Sequence, residues 1–499
     1  MLSDLVVRAV GQSRAANSEA RPRKMAIQLR KILRHDWHTT RFLTFGAFIT
    51  VLAGAVTTAY FINTPTPFLP FHDSLEYVAS AQRILAGGAW ADPQRMPGYP
   101  LFLAILFAVR GHVTYKSAEI AQLALFVLTA VEIYVVSYRV WRNSALAAII
   151  AAAVGMNVYF LEYVKPILSD GLALWLVTSL ALAVIAFLNQ PGALRLWMVA
   201  VCALALLMTR AEWYLVPVPL FAYLLFIAHR ENRLQRLLPH AALALMLLYG
   251  AVAGYVYQNA QVNHYAGLTS DESINLYGKI TQYGMQNEAP PRFAAIARVT
   301  DYYVAQRLIK DPWVIFWSDP KLGINNFSLM GSYARAIIYR HPVQFLVDSV
   351  PVAFGSLGQY APFAHTNPAG PLARPLHIDM RLAVVTYYSN WLFPVCAAFW
   401  GIALVLSGKK WRVKRKQTEF ISAVAFLATY DIVMTTLGSY NAYPRLHLGT
   451  DPLMLLVDIG SVAYVLASAW HWVVRQPEHV ASAYHRAQER DEQPRSDAA

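Results

Sequence analysis

Long apolar stretches punctuated by short polar turns recur along most of the chain. The stretches at 42–62, 118–137, 237–257 and 378–406 approach the roughly 20 residues that cross a bilayer as one helix. Threading the chain through them predicts an all-α polytopic membrane protein of about ten transmembrane helices. Further spans fall at 144–161, 171–188, 420–437 and 452–472, with 382–406 before the last two. Two more helices meet in a tight hairpin at Thr209-Arg210-Ala211-Glu212, and the apolar patterns beginning at Ser144 and Leu196 are the weakest. The stretch 99–109 is too short to span and is bounded by Pro97-Gly98 and Arg110, so it is expected to lie in the interface. From 258 to 381 nothing makes a convincing span, although 343–357 is apolar enough to rest on the membrane.

Composition strengthens this picture. Of 499 residues 57% are hydrophobic and 14% charged, and the mean hydropathy is +0.36; so much apolar surface needs lipid as its solvent. A net charge of +13 raises the possibility of nucleic-acid binding, but the excess gathers where loops meet helix ends. The clusters are Arg21, Arg23, Lys24, Arg30, Lys31 and Arg34, then Arg139 with Arg142, then 230–236, then the run from Lys409 to Lys416. Positive-inside topology accounts for them and puts all four in the cytoplasm, with no nucleic acid as partner. The basic segment ahead of the first apolar run makes that run a membrane helix rather than a cleaved leader. Cys202 and Cys396 both fall in apolar helices and provide neither a disulfide framework nor a metal-ligand spacing.

The expected organisation is a basic cytoplasmic tail (1–41), an N-terminal transmembrane module (42–257) whose first outer loop is 63–115, an outer-face loop domain (258–381), C-terminal transmembrane helices (382–472) and a charged cytoplasmic tail (473–499) that reads as disordered. No internal repeat is visible. The chemistry-bearing residues collect on the outer face. His72-Asp73-Ser74-Leu75-Glu76-Tyr77 opens a short amphipathic helix that closes at Gly87-Gly88. Asp73 suits a helix N-cap with Glu76 as its capping-box partner, and the same carboxylate at a membrane surface suits proton acceptance from a hydroxyl. Asp170 begins another helix, with Lys165 and Arg210 as possible partners. Arg95, Lys165, Arg210 and Arg445 are the cations of this face; snorkelling explains most such residues, but Arg95 stands beside the Pro97-Gly98 bend, where a guanidinium is placed to grip phosphate.

These motifs resemble the lipid-carrier-dependent glycosyltransferases of the GT-C fold, which include protein O-mannosyltransferases and lipid A aminoarabinose transferases. The matching residues are His72 to Tyr77, Arg95-Met96-Pro97-Gly98-Tyr99-Pro100, Leu168-Ser169-Asp170 and Thr209-Arg210-Ala211-Glu212, with weaker echoes in Ile274-Asn275-Leu276-Tyr277-Gly278 and Tyr443-Pro444-Arg445. The resemblance covers roughly the first 230 residues well and the rest loosely. It implies inverting transfer of a single sugar from a polyprenyl-phosphate donor to a hydroxyl of a glycan, lipid or protein acceptor. Asp73 would be the catalytic acid and Asp170 a second acid; Glu76, Tyr77, Arg95, Lys165, Arg210 and Arg445 would bind substrate. Arg95 stands where the aminoarabinose relatives often carry Lys, which keeps the charge and changes the geometry.

A base and one or two cations suffice for such a displacement, so no cofactor is expected, and without an Asp-x-Asp pair in the first outer loop no metal is expected either. The implied setting is a bacterial plasma membrane with the site on its periplasmic or extracellular side. Three other readings stay open: a flippase or transporter of lipid-linked saccharides, a purely structural or assembly membrane protein, and a ligase or polymerase that moves whole glycans. Against the first, the notable acids sit at helix ends and the two halves of the chain show no similarity.

Overall fold

A computed structural model describes residues 39–63, 72–306, 327–358, 389–406, 412–440 and 443–470. Residues 1–38 of the expected N-terminal tail, the expected tail at 473–499, and Lys409 and Lys410 of the cationic run lie outside these. Among the described residues the chain is helical, without strands. The long helices are α1 (Thr39–Asn63), α4 (Tyr115–Trp141), α7 (Asp170–Asn189), α10 (Leu234–Asn263), α16 (Arg412–Gly438) and α18 (Asp451–Trp470). Another span, Ala211–Arg230, joins a 3-10 turn to α9 (Pro217–Arg230).

The span expected at 144–161 is two helices, α5 (Ser144–Gly155) and α6 (Val158–Val164), bent by 50° at the break. Asn157 causes the interruption: its side chain caps α6 by accepting from the Tyr159 amide at 3.1 Å, as Asn143 caps α5. Among the described residues seven helices are long and apolar enough to cross a membrane, or eight with this bent pair as one. The helices α8 (Ala193–Thr209) and Asn390–Leu406, which contains α15 (Phe393–Leu406), are shorter. Both stand at the lower limit of roughly 17 residues for a span, and the expected ten includes them.

α7 is the centre of the bundle. In its most apolar stretch 78% of residues are buried, against 22% in α1 and α10, whose outward side chains such as Phe48, Val51, Met246 and Leu247 meet lipid. α4, α8 and α16 pack around α7. Beside the bundle, α2 (His72–Leu85) pairs with α3 (Gly98–Arg110). Gly98 allows α3 to start hard against the end of α8: a Cβ there would lie 2.6 Å from the Met208 carbonyl oxygen. The stretch after α10, whose folding the sequence does not disclose, forms α11 (Asp271–Gln282), α12 (Ala294–Ala305), α13 (Phe327–Arg340) and α14 (Pro342–Leu357). Tyr277, Ile280, Met330, Tyr333 and Ile337 give it a small core separate from that of the bundle. A short α17 (Tyr443–Leu446) links α16 to α18.

Candidate active site

The site forms at the end of the bundle where α7 begins, α8 ends and α17 turns the chain from α16 into α18. Asp73 lies in the first turn of α2, and its carboxylate reaches two guanidiniums: Oδ1 accepts from Arg95 Nη2 at 2.9 Å and Oδ2 from Arg445 at 3.4 Å. Its oxygens are thus engaged by Arg95 and Arg445 where a capping box was one reading. Glu76 likewise serves Arg95, accepting from Nε at 2.7 Å.

Arg95 is held with unusual completeness. Besides Asp73 and Glu76 it donates through Nη1 to Asp271 Oδ2 at 3.1 Å. Asp92 anchors the loop that carries it: Oδ1 accepts from the amides of Gln94 and Arg95 at 2.9 and 3.0 Å, while Oδ2 takes Ser80 Oγ at 2.6 Å and Arg83 Nη2 at 2.9 Å. The Tyr255 hydroxyl, from α10, donates to the carbonyls of Asp92 and Arg95. Burial raises the cost of ionising Asp92, but these donors outweigh it and its pKa falls below the usual carboxylate value.

Asp170 opens α7, and its carboxylate is fully buried. Oδ1 pairs with Arg210 Nη2 at 2.6 Å, and Oδ2 faces Arg445 Nη2 at 3.2 Å. Arg210 also reaches Glu212 Oε1 at 3.3 Å and the Leu446 carbonyl at 2.8 Å, which ties the end of α8 to α17. The entry to α7 is braced by Gln122 of α4, which donates to the carbonyls of Val164 and Pro166 and accepts from the Tyr99 hydroxyl.

Arg445 therefore bridges Asp73 and Asp170, two acids nearly a hundred residues apart. Its contacts with the two acids are at 3.2–3.4 Å. The side chains of Asp73 and Arg445 are 29% and 22% exposed, so they face the open side, with Asp170 and Arg210 behind them. Burial would raise the pKa of Asp73, but Arg95 and Arg445 hold it below the usual carboxylate value.

Tyr77 is buried beneath Arg95, whose Cζ lies 5.3 Å from the ring centroid, and its hydroxyl reaches Ser169 Oγ at 3.2 Å. It links α2 to the turn before Asp170 and acts through Arg95. Lys165 departs from the expected role as a partner of Asp170. It is buried, with Nζ 5.5 Å from the Phe61 ring centroid; desolvation lowers its pKa and the field of Glu119 opposes that. Proline at 166 and the turn that follows point it away from α7's first residue. Asp73, Glu76, Arg95, Asp170, Arg210 and Arg445 are thus brought together, Tyr77 lies directly underneath, and Lys165 stands apart.

Asp271 joins the site although its sequence surroundings give little sign of it. It begins α11, and burial pushes its pKa up to about 7; Arg95 opposes this, and Asp73, Glu76 and Asp92 add to it. The only local hint is an acidic pair, Asp271-Glu272, at the start of an amphipathic helix next to the Ile274 to Gly278 motif. His447 is a second residue beside the site that no motif singles out. Its Nδ1 meets Asp451 Oδ1 at 2.9 Å and its Nε2 faces the Ser356 carbonyl at 3.2 Å, which fastens α14 to the turn below Arg445. Among the described residues no group of three or more His, Cys, Asp or Glu is disposed to hold a metal ion.

No family model and no curated protein matches this sequence. Among solved structures, the archaeal oligosaccharyltransferase AglB from Archaeoglobus fulgidus, in complex with an inhibitory peptide and a dolichol-phosphate, is similar over 93% of this chain and 53% of its own, with 12% identity and a TM-score of 0.45. A second structure, an Archaeoglobus fulgidus oligosaccharyltransferase tethered to an acceptor peptide, is similar over 83% and 49% respectively, with 10% identity and a TM-score of 0.45. The chain spans about half the length of these two proteins.

Proposed function

We propose that this protein is an inverting glycosyltransferase that moves a single sugar from a polyprenyl-phosphate donor to a hydroxyl of a glycan, lipid or protein acceptor, at the non-cytoplasmic face of the membrane. The observation that carries the proposal is the Asp73–Arg445–Asp170 bridge. A sugar phosphodiester needs a cation where its leaving oxygen gains charge, and a carboxylate beside it to orient the incoming hydroxyl. Arg445 suits the first task because it stands between the two acids with its side chain partly exposed, where its fork can meet phosphate. Asp73, the more exposed acid, suits the second.

The remaining residues prepare these two. Asp170 and Arg210 form the buried abutment against which Arg445 rests, and Glu76 and Tyr77 fix Arg95, a second guanidinium for the donor phosphate. Attack by the hydroxyl on the face opposite the phosphate inverts the anomeric centre in one displacement. The basic clusters at 139–142 and 230–236 support placing the opposite end of the bundle in the cytoplasm. The likeness to GT-C glycosyltransferases in the motifs around Asp73, Arg95 and Asp170 points the same way.

The test is a mass-spectrometric comparison of lipid extracts and surface glycans from cells with and without the gene. A polyprenyl-phosphate sugar is expected to accumulate without it, and to return to normal with the wild-type gene but not with Asp73→Asn. Unchanged lipid-linked sugars together with unchanged glycans would overturn the proposal.

A further inference from the structure

Five carboxylates, those of Asp73, Glu76, Asp170, Glu212 and Asp271, meet three guanidiniums, those of Arg95, Arg210 and Arg445. Fully ionised, the cluster carries two negative charges in excess before any donor arrives. A phosphodiester adds one more. Transfer then converts it to a phosphate monoester, whose second ionisation, near a pKa of about 6, adds another. Inside a partly buried site such a build-up opposes both donor binding and product formation.

One member of the cluster is built to absorb that charge. Both oxygens of Asp73 and both oxygens of Asp170 accept from guanidiniums. Asp271 gives only Oδ2 to Arg95; its Oδ1 is shielded from solvent and has no hydrogen-bond partner among the described residues. An unsatisfied, dry carboxylate oxygen is where a proton costs least. The charged groups acting on Asp271 are Arg95 and Asp92 from the loop before α3, and Asp73 and Glu76 from α2. On its own helix Glu272 is drawn aside to Arg335 of α13 at 3.6 Å.

We propose that Asp271 stores the proton given up by the acceptor hydroxyl, so that the charge of the site stays constant as the leaving phosphate gains its second negative charge. This rests on the glycosyltransferase reading above. In the displacement the acceptor oxygen bonds to the anomeric carbon, and the carbon–oxygen bond to phosphate breaks with its electron pair left on phosphate. The hydroxyl proton leaves along the hydrogen bond to Asp73 and comes to rest on Asp271, which shares the Arg95 guanidinium with it. Departure of the lipid phosphate returns the proton to water. A pKa of about 7 lets Asp271 fill and empty in this way near neutrality. Asp271 is a positioning and proton-storing residue, distinct from the groups that touch the sugar.

The experiment is isothermal titration of the purified full-length protein with farnesyl phosphate, a short prenyl monophosphate, at pH 8 in two buffers of different ionisation enthalpy. Wild type is expected to take up close to one proton per ligand, and its affinity to fall about tenfold per pH unit above 7. Asp271→Asn should take up none and bind with nearly pH-independent affinity, and Asp271→Glu should restore uptake. Absence of uptake by wild type, or equal uptake by Asp271→Asn, overturns the inference. Binding that Arg445→Ala abolishes while wild type takes up no proton removes this inference alone. Failure of wild type to bind farnesyl phosphate at all removes the glycosyltransferase reading and this one with it.

Discussion

Arg210 and Asp170 meet at 2.6 Å with both side chains nearly closed off from solvent. A pair of this kind contributes little over a well-packed apolar substitute, yet removing one partner strands the other charge in a dry place. Arg210→Met is therefore expected to destabilise the protein by about 3–5 kcal/mol, read as a lower melting temperature in detergent; the double variant with Asp170→Asn should recover much of the loss. A melting temperature that Arg210→Met leaves unchanged would show that Arg445, on the other oxygen, satisfies Asp170 by itself. At this scale the sequence displays residue types and their neighbours along the chain, and Asp73, Arg95 and Asp170 stand out because each begins or adjoins a helix or a Pro-Gly bend. It does not display partners. Asp271 reaches Arg95 across 176 residues, and no local spacing encodes that meeting. Lys165 shows the converse: proximity to Asp170 in sequence suggested a pair, and the intervening turn separates them.

Between elements, the contact that sets Arg445 in place runs through Lys279 of α11. Its ammonium donates to the hydroxyls of Tyr283 and Tyr443, both at 2.8 Å, and lies 4.6 Å from the Tyr443 ring centroid, two residues before Arg445. Burial lowers the pKa of Lys279 to about 7 from an ordinary value of 10.5. Between those two values the unfolded chain binds the extra proton, so this residue's contribution to stability grows as pH rises from 7 towards 10.5. The melting temperature of wild type should accordingly gain more between pH 7 and pH 9 than that of Lys279→Met, and identical gains would contradict the assignment. The elements themselves were largely readable because hydrocarbon-length apolar runs announce spans and Gly87-Gly88 announces the end of α2. The break between α5 and α6 was not, since a single Asn capping a short helix leaves the apolar run almost continuous. The helices α11 to α14 were obscured because their small core draws on positions scattered between Tyr277 and Phe345.

Across the whole molecule, the bundle turns four chain ends toward one place: α7 starts there, α8 and α16 finish there, and α18 leaves it. Hydrophobicity dictated the bundle, while the site depends on which ends converge, a property of packing around α7. Convergence places the two expected acids on either side of one guanidinium, that of Arg445. The measurement that bears on this most directly is transfer by purified protein from a labelled prenyl-phosphate sugar, with Asp73→Asn and Arg445→Ala compared at equal amounts of folded protein. Wild type should transfer the sugar and each variant should be slower by about 100-fold or more; variants that transfer as fast as wild type would contradict the account.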